Sequence, residues 1–405
     1  MHRRSFLTGL AAGATGAFLP WHGAQAGGAT LRGYLRTNWS RDPWSFGSYS
    51  YVAKGAAQRD RAVVGAPVAG RVFFAGEAVH PTYNATVHAA YESGEAVGRD
   101  VAGDHSGHIA VIGAGVSGLA AAQALSAKGR KVTVFEARDR IGGRVWTSNS
   151  FGIPLDLGAS WIHGTSRNPV AKLARKANAR TVATDDSYIA RGGDGRRISE
   201  DDVPDWLDAV TLYQHEAGAD RSEINLPAYE AEPEYDGDEV IFPNGYQSIL
   251  GALGGSYEVR LASPVTAITY GDGGVTLVVR GEQHLFDAVV VTLPLGVLKN
   301  KAVSFNPPLP ADKQAAIARL GMGTLDKFYL LYDRPFWDKD VTWIGTPENG
   351  LPRGQFSEWL NFYKYIGQPI IMAFNGGPPA LRLAAEPDEK LVQAAQQTLA
   401  RAYPG

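Results

Sequence analysis

Ile109-Ala-Val-Ile-Gly113-Ala114-Gly115-Val-Ser-Gly118-Leu119 is the stretch on which the fold turns. Its opening β-branched run predicts a buried parallel strand. Three glycines follow in Gly113-x-Gly115-x-x-Gly118 spacing, then a helical stretch over residues 119–128 that stops at Gly129. Lys131-Val-Thr-Val-Phe-Glu136 supplies a second strand and closes a βαβ unit. Glycines at these places permit a tight turn, close backbone approach to a pyrophosphate and intimate helix–strand packing. The phosphates are expected at the positive end of the helix. Glu136, about 20 residues beyond the loop, is placed to accept a hydrogen bond from a ribose hydroxyl.

The rest of the chain bounds what such a unit serves. At 405 residues the length predicts two or three domains, and 44% hydrophobic residues allow a large core. Gly is frequent at 48 residues, as nucleotide-binding loops require. A formal net charge of -2 makes no basic case for nucleic acid. The absence of Cys excludes disulfides, Cys-ligated zinc, iron–sulfur clusters, thiol nucleophiles and thioether-linked cofactors. His105 and His108, the closest histidines, fall in a Gly/Ser/Asp stretch that reads as a linker, and no metal site is expected.

Residues 1–26 read as an address. Arg3-Arg4 precede Ser5-Phe6-Leu7, an Ala/Gly/Leu-rich run and a small-x-small site at Ala24-Gln25-Ala26. The paired arginines point to the twin-arginine machinery, which exports folded proteins, and hence to the periplasm; an ordinary secretory signal is the alternative. The apolar run is too short and Gly-rich for a stable membrane anchor, and stable membrane insertion is not expected.

Arg138-Asp-Arg-Ile-Gly142-Gly143-Arg144 continues directly from Glu136. Its two glycines and arginine bring backbone amides and a guanidinium toward the same phosphates. With this extension the segment resembles FAD-binding flavoproteins of the flavin-containing amine oxidase family, the polyamine and spermine oxidases in particular. The resemblance implies an α/β fold: a Rossmann-like FAD domain interleaved with an α+β substrate domain. It assigns Gly113, Gly115, Gly118, Glu136, Arg138, Gly143 and Arg144 to the cofactor.

The family's dinucleotide loop lies near the mature N-terminus, whereas here about eighty residues precede it. They include Arg71-Val-Phe-Phe-Ala-Gly76-Glu77 and Tyr83-Asn-Ala-Thr86-Val87-His88, which resemble the family's C-terminal flavin segment. Glu77 would face the cofactor, and Thr86 and Val87 would open a helix aimed at the flavin ring. The expectation is a circular permutation, with the old ends joined through Gly103-Asp-His-Ser-Gly107 and with Tyr403 near Leu31 in space. A rearranged gene is the rival explanation. The expected division is 1–26 signal, 27–60 flavin-facing and substrate segment, and 61–103 FAD domain. The βαβ unit then occupies 104–164, with substrate domain over 165–240, FAD domain over 241–300 and substrate domain over 301–405.

The resemblance also carries roles for single residues. Lys327, opening an apolar strand, matches the lysine that holds a water against flavin N5; read alone it is a strand-edge lysine. Tyr49 occupies one wall of the aromatic substrate enclosure. Thr86 stands where monoamine oxidases often place a second tyrosine, so the enclosure is open. Trp39 packs against the isoalloxazine, core packing being the plainer reading of each aromatic. Ser48 replaces the cysteine that binds flavin covalently in monoamine oxidases, so FAD is expected to be non-covalent. In Gly158-Ala-Ser-Trp161-Ile-His163, Ala159, Ser160 and Trp161 line the flavin and His163 lines the substrate tunnel, unless it is a core histidine. Val265 matches an adenine contact.

Residues 200–239 hold fourteen Asp/Glu against one Arg. They read either as an acidic tunnel mouth that steers cations or as a solvated face. The expected reaction is oxidation of a small cationic amine, most readily a polyamine, with O2 reduced to H2O2. An L-amino acid oxidase and an inactive FAD-binding protein are the alternatives.

Overall fold

The computed structural model describes residues 14–17 and 26–405. The Arg3-Arg4 pair and most of the expected signal lie outside the described residues. Ala14–Ala17 forms an edge strand antiparallel to Leu31–Thr37.

A five-stranded, fully parallel sheet runs in the order Glu258–Arg260, Lys131–Phe135, His108–Ile112, Ala288–Val291, Val72–Phe74. Ala288–Val291 and Val72–Phe74 are buried along their whole length, as a sheet covered on both faces requires. Helices Val87–Asp104 and Val116–Ala127 pack together on one face. Their close approach depends on glycine: a Cβ at Gly94 would meet the Ser117 carbonyl oxygen at 2.0 Å, and one at Gly98 the Ala121 oxygen at 2.6 Å. The helix after the glycine loop starts at Val116, before the expected 119, because Gly115 serves as its N-cap residue. Residues 258–271 form two strands. Glu258–Arg260 joins the parallel sheet, and Val265–Gly271 turns away to pair with Gly274–Val279.

The second layer is an eight-stranded mixed sheet. After Ala14–Ala17 its order is Leu31–Thr37, Leu325–Tyr332, Ile370–Gly376, Glu358–Asn361, Trp343–Gly345, Tyr188–Arg191, Arg197–Ile198. The early strand Leu31–Thr37 therefore pairs with Leu325–Tyr332, far along the chain. Core packing sets two seams away from the expected boundaries. Helix Pro169–Lys176 buries Val170, Leu173 and Ala174 in the core of the parallel sheet. Val303, Leu309, Ile317 and Leu320 likewise pack with Val72, Phe74 and Val289, so the cofactor-side core extends past residue 300. Leu31 and Tyr403 share one core cluster, and the Gly27 N–H donates to the Tyr403 carbonyl at 3.2 Å. Among the described residues no helix is long and apolar enough to cross a membrane.

Candidate active site

A cavity of about 1650 Å³ opens where the C-terminal ends of the parallel strands face the mixed sheet. Ile112-Gly113, Phe135-Glu136, Gly76-Glu77 and Thr292 line it, each at or just past the end of a parallel strand. This is where open α/β sheets bind their ligands. The volume exceeds the several hundred Å³, up to ~1,000, usual for one small molecule. Of the cofactor, substrate and catalytic residues expected from sequence, all but Gly118 line this one cavity.

The glycine loop forms its floor. Gly113 has φ +101, and a Cβ there would stand 2.7 Å from the Thr292 hydroxyl. Gly118 lies behind the lining, where a Cβ would meet the Gly113 carbonyl oxygen at 1.9 Å; it seats the helix on the turn. Gly142 and Gly143 close the loop from the other side. The Gly142 N–H donates to the Ala114 carbonyl at 2.8 Å, and a Cβ on Gly143 would come within 3.2 Å of Gly115 Cα. Gly115 offers no side-chain cap, so the first N–H groups of helix Val116–Ala127 are left for a ligand. Glu136 is buried and accepts from the Ala114 and Arg138 N–H groups at 2.7 and 2.9 Å.

Ser117, in the first turn of that helix, is a residue the sequence reading passed over. It is 6% exposed, lines the cavity, and its Oγ has no partner among the described residues. A buried hydroxyl without a partner beside unfilled helical N–H groups suits the phosphates of a dinucleotide. The cradle therefore fits FAD. Val265 lines the same end, beside Glu136.

The two arginines are held more tightly than their sequence role suggests. Arg138 binds Asp42 through two hydrogen bonds of 2.8 and 2.7 Å. Arg144 donates from Nη1 to the Ser48 carbonyl and to Glu77 Oε1, both at 2.9 Å. Each guanidinium reaches the cavity wall already paired with a carboxylate. Glu77 is 4% exposed; burial pushes its carboxyl up, but Arg144, Arg61 and the Ser50 hydroxyl outweigh burial and hold it below the usual range.

At the other end stand Trp39, Tyr49, Thr86, Val87, Ala159, Ser160, Trp161 and Lys327. The buried indole of Trp39 donates to the Leu157 carbonyl at 3.2 Å. Thr86 caps helix Val87–Asp104, its Oγ1 accepting from the Ala89 N–H at 3.2 Å. Such a cap contributes about 1 kcal/mol. Ser48 accepts from the Leu325 N–H and donates to its carbonyl, pinning the start of strand Leu325–Tyr332. Lys327 follows two residues later, 5% exposed. Its Nζ donates to the carbonyls of Asp156 (2.8 Å) and Gly158 (2.6 Å) and reaches Ser160 Oγ. Burial pulls its pKa down and the nearby Asp156 carboxylate opposes that, while burial pushes Asp156 up.

Tyr49 donates to the His215 carbonyl, and the His215 ring lies 5.4 Å from Phe374. Phe374 in turn adjoins Trp161 and Trp343, and Lys327 Nζ stands 6.0 Å from its centroid. His163 lies at the mouth with an exposed side chain, so the core-histidine reading is set aside. Its Nδ1 contacts Glu239 Oε2 at 2.7 Å. Tyr83, His88 and Tyr235 pack as an aromatic triad beside it, and Glu232 binds the Asn84 backbone N–H and side chain. Among the described residues the lining carries Glu216, Glu230, Glu232, Glu234, Glu239 and Glu358, whereas its only Lys and Arg side chains are Lys327, Arg138 and Arg144. Among the described residues no cluster of His, Asp and Glu could hold a metal ion.

The sequence pattern of the family described as "Flavin containing amine oxidoreductase" matches residues 17–102, 116–209 and 221–405. Polyamine oxidase 4 of Oryza sativa subsp. japonica is 32% identical over 358 aligned positions, covering 73% of this chain and 73% of that protein. Lysine-specific histone demethylase 1B of Mus musculus is 30% identical, covering 71% of this chain and 42% of its own length. Wild-type putrescine oxidase bound to putrescine shares the fold with a TM-score of 0.53 at 20% identity, over 73% of this chain and 81% of that one. A redesigned triple mutant of the same enzyme gives 0.57 at 19% identity, over 73% and 82%. With its glycine cradle, buried lysine and mixed sheet in place, the chain belongs to the flavin-containing amine oxidoreductases and is a flavin-dependent amine oxidase.

Proposed function

We propose that the amine is a polyamine or related polycation. It would be oxidised at a carbon–nitrogen bond to an imine that water splits into an aldehyde and a shorter amine, while O2 becomes H2O2. The cavity lining carries the reading: it is rich in carboxylates, and each of its arginines is already paired. An amino acid oxidase needs a free guanidinium for the substrate carboxylate, and neither Arg138 nor Arg144 is free. Carboxylates at the mouth concentrate cations by steering.

FAD would be held by the Gly113–Gly115 turn, Ser117, Glu136 and Gly142-Gly143, and it supplies the two-electron acceptor. Binding would be non-covalent, since the chain has no Cys and Ser48 is committed to the Leu325 backbone. Lys327 positions and moves a proton at Nζ. As an ammonium it spends three donors on Asp156, Gly158 and Ser160; once neutral, it keeps a lone pair free for a water. Phe374, Trp161 and Trp343 keep bulk water from the reacting carbon. Peroxide release with polyamines, monoamines and L-amino acids tests the reading. Activity on leucine or phenylalanine without spermidine would overturn it, and a flavin that stays yellow when mixed anaerobically with spermine would mark an inactive protein. Flavin that stays with the precipitate after acid denaturation would refute non-covalent binding.

Export by the twin-arginine route and a circularly permuted order belong to the same proposal. The first rests on Arg3-Arg4 and suits a protein that loads FAD before export. The second rests on the Glu77 segment preceding the glycine loop and on the contact between Gly27 and Tyr403.

A further inference from the structure

Asp156 enters the site twice, once through its backbone and once through its side chain. It ends the short strand Leu155–Asp156 and is 7% exposed. Its carbonyl accepts from Lys327 Nζ at 2.8 Å and from the Tyr329 hydroxyl at 2.7 Å. Its carboxylate turns to two other parts of the chain. Oδ1 accepts from the Thr147 hydroxyl at 2.6 Å, and the Tyr246 N–H is shared between Oδ1 and Oδ2 at 2.9 and 3.1 Å. Thr147 lies on the strand paired with Leu155–Asp156, and Tyr246 opens the helical turn Tyr246–Leu253. Gly245 lets the two approach: its φ is +84, and a Cβ there would stand 2.3 Å from Thr147 Cγ2. The carboxylate thus ties residues 156–160, which supply all three acceptors of the lysine, to two neighbouring elements.

The same carboxylate is the charge that acts on Lys327, and Lys327 is the cation that acts on it. The other polar groups near the amine are neutral or turned elsewhere. Burial pushes the Tyr329 and Tyr246 phenols up, so both stay protonated. Asp326, the next residue along the strand, faces the opposite way. It spends its carboxylate on the Thr37 hydroxyl and the Trp39 N–H. From the neighbouring strand, the Phe374 ring lies 6.0 Å from Nζ and 5.4 Å from the His215 ring, whose Nδ1 is 3.7 Å from Glu358.

We propose that Asp156 is a positioning residue for amine oxidation: its carboxylate acts through Lys327, fixing the carbonyls that hold the amine and supplying the negative charge that sets when the amine releases its proton. The proposal rests on the amine-oxidase reading and deepens it. Burial alone strips an amine of its proton. A carboxylate a few ångströms away opposes that, and in a water-poor interior its field is felt strongly. A direct ion pair would lock the amine as an ammonium, but the oxygens of Asp156 are taken by Thr147 and Tyr246. The charge therefore works at a distance. It biases Lys327 toward the ammonium without occupying Nζ, whose lone pair stays open once the proton has left.

The test follows Lys327 itself in the FAD-loaded enzyme, through the NMR signal of its isotopically labelled ε-carbon, identified by its loss in Lys327→Met. Removing the negative charge disfavours the ammonium, so Asp156→Asn should move the lysine titration to lower pH by about one unit or more. The same variant should lower the limiting rate of flavin reduction in anaerobic mixing roughly tenfold. Asp156→Glu, which restores the charge, should recover most of the titration. A purely structural role would cost rate and leave the titration in place, so an unmoved titration overturns the proposal. A moved titration with an unchanged rate overturns it as well. Should neither variant retain FAD, the wild type decides. Its Lys327 signal should carry a second, smaller inflection on the acid side, where the carboxylate takes up its proton, and a single inflection refutes the coupling. If no amine reduces the flavin, the amine-oxidase reading has failed, and the titration alone then judges whether Asp156 governs Lys327.

Discussion

Lys327 shows how one side chain gathers its chemistry from distant parts of the chain. Burying an ammonium costs several kcal/mol unless its donors are met. Here they are met by two carbonyls and a hydroxyl from residues 156–160, a segment that the sequence separates widely from strand Leu325–Tyr332. Removing the amine leaves those acceptors unmet and, on the proposed reading, removes the group that holds a proton at the reacting centre. Lys327→Met should therefore lower the amine-oxidation rate about 100-fold or more while FAD remains bound, as measured by anaerobic mixing and by the flavin spectrum. A full rate in this variant would remove the assignment. Glu358 makes the contrasting case. In Ser357-Glu358-Trp359-Leu360-Asn361 it reads as one polar position in a strand, and nothing local announces that a helix from residues 210–215 will cover it. The resemblance singled out Lys327 through a motif that is local in the sequence. Glu358 was not legible, because its partners Thr211 and His215 come from a helical turn far earlier in the chain.

At the scale of elements, the glycine turn and the segment leading to helix Val87–Asp104 decide how the cofactor is presented. Gly118 does not touch the cavity, yet it sets the distance between helix Val116–Ala127 and the Gly113 turn. Gly118→Ala should raise the apparent Kd for FAD at least tenfold while the apoprotein still folds, which flavin titration can follow. An unchanged Kd would mean the helix can shift without moving the turn. His80 organises the approach to the second helix, its Nδ1 accepting from the Thr82 and Tyr83 N–H groups at 3.2 and 3.0 Å. Burial, aided by nearby Arg61, pushes its pKa down to about 4. The folded state thus prefers the neutral ring. This stabilisation is complete above the unfolded value of ~6.5 and is lost as pH falls from there through the folded value. The melting temperature should accordingly drop between those values, and His80→Asn, which preserves an acceptor, should flatten that limb. An identical acid limb in the variant would dismiss His80 as its source. The sequence marked this region by its likeness to a flavin segment, but the capping by Thr86 and the turn around His80 emerge only from the backbone path.

At the scale of the whole molecule, the two largest sheets among the described residues share one cavity. Two adjoining strands of the parallel sheet, His108–Ile112 and Lys131–Phe135, were legible, since buried apolar runs and glycine turns are local signals. The mixed sheet was not, because it joins strands from both ends of the chain, and the seams near residues 169 and 303–320 follow packing that spans hundreds of positions. A Cβ built on Gly405 would stand 3.8 Å from the Gly28 nitrogen, close enough for a short join. A chain rejoined from 405 to 27 and reopened within residues 103–107 should bind FAD and oxidise amines as the present order does, checked by flavin content and peroxide release. Failure of that chain to take up FAD, alongside an active present order, would count against the permutation.

The pairing of Leu31–Thr37 with Leu325–Tyr332 also sets a timetable. A ribosome that has delivered the first strand must add nearly three hundred residues before its partner exists. Contacts of such long reach form late and slowly. The βαβ unit, by contrast, is complete once residue 136 has emerged. The cofactor cradle can thus form while the wall that carries Lys327 is still unmade, so the site gains its lysine nearly two hundred residues after the βαβ unit is complete.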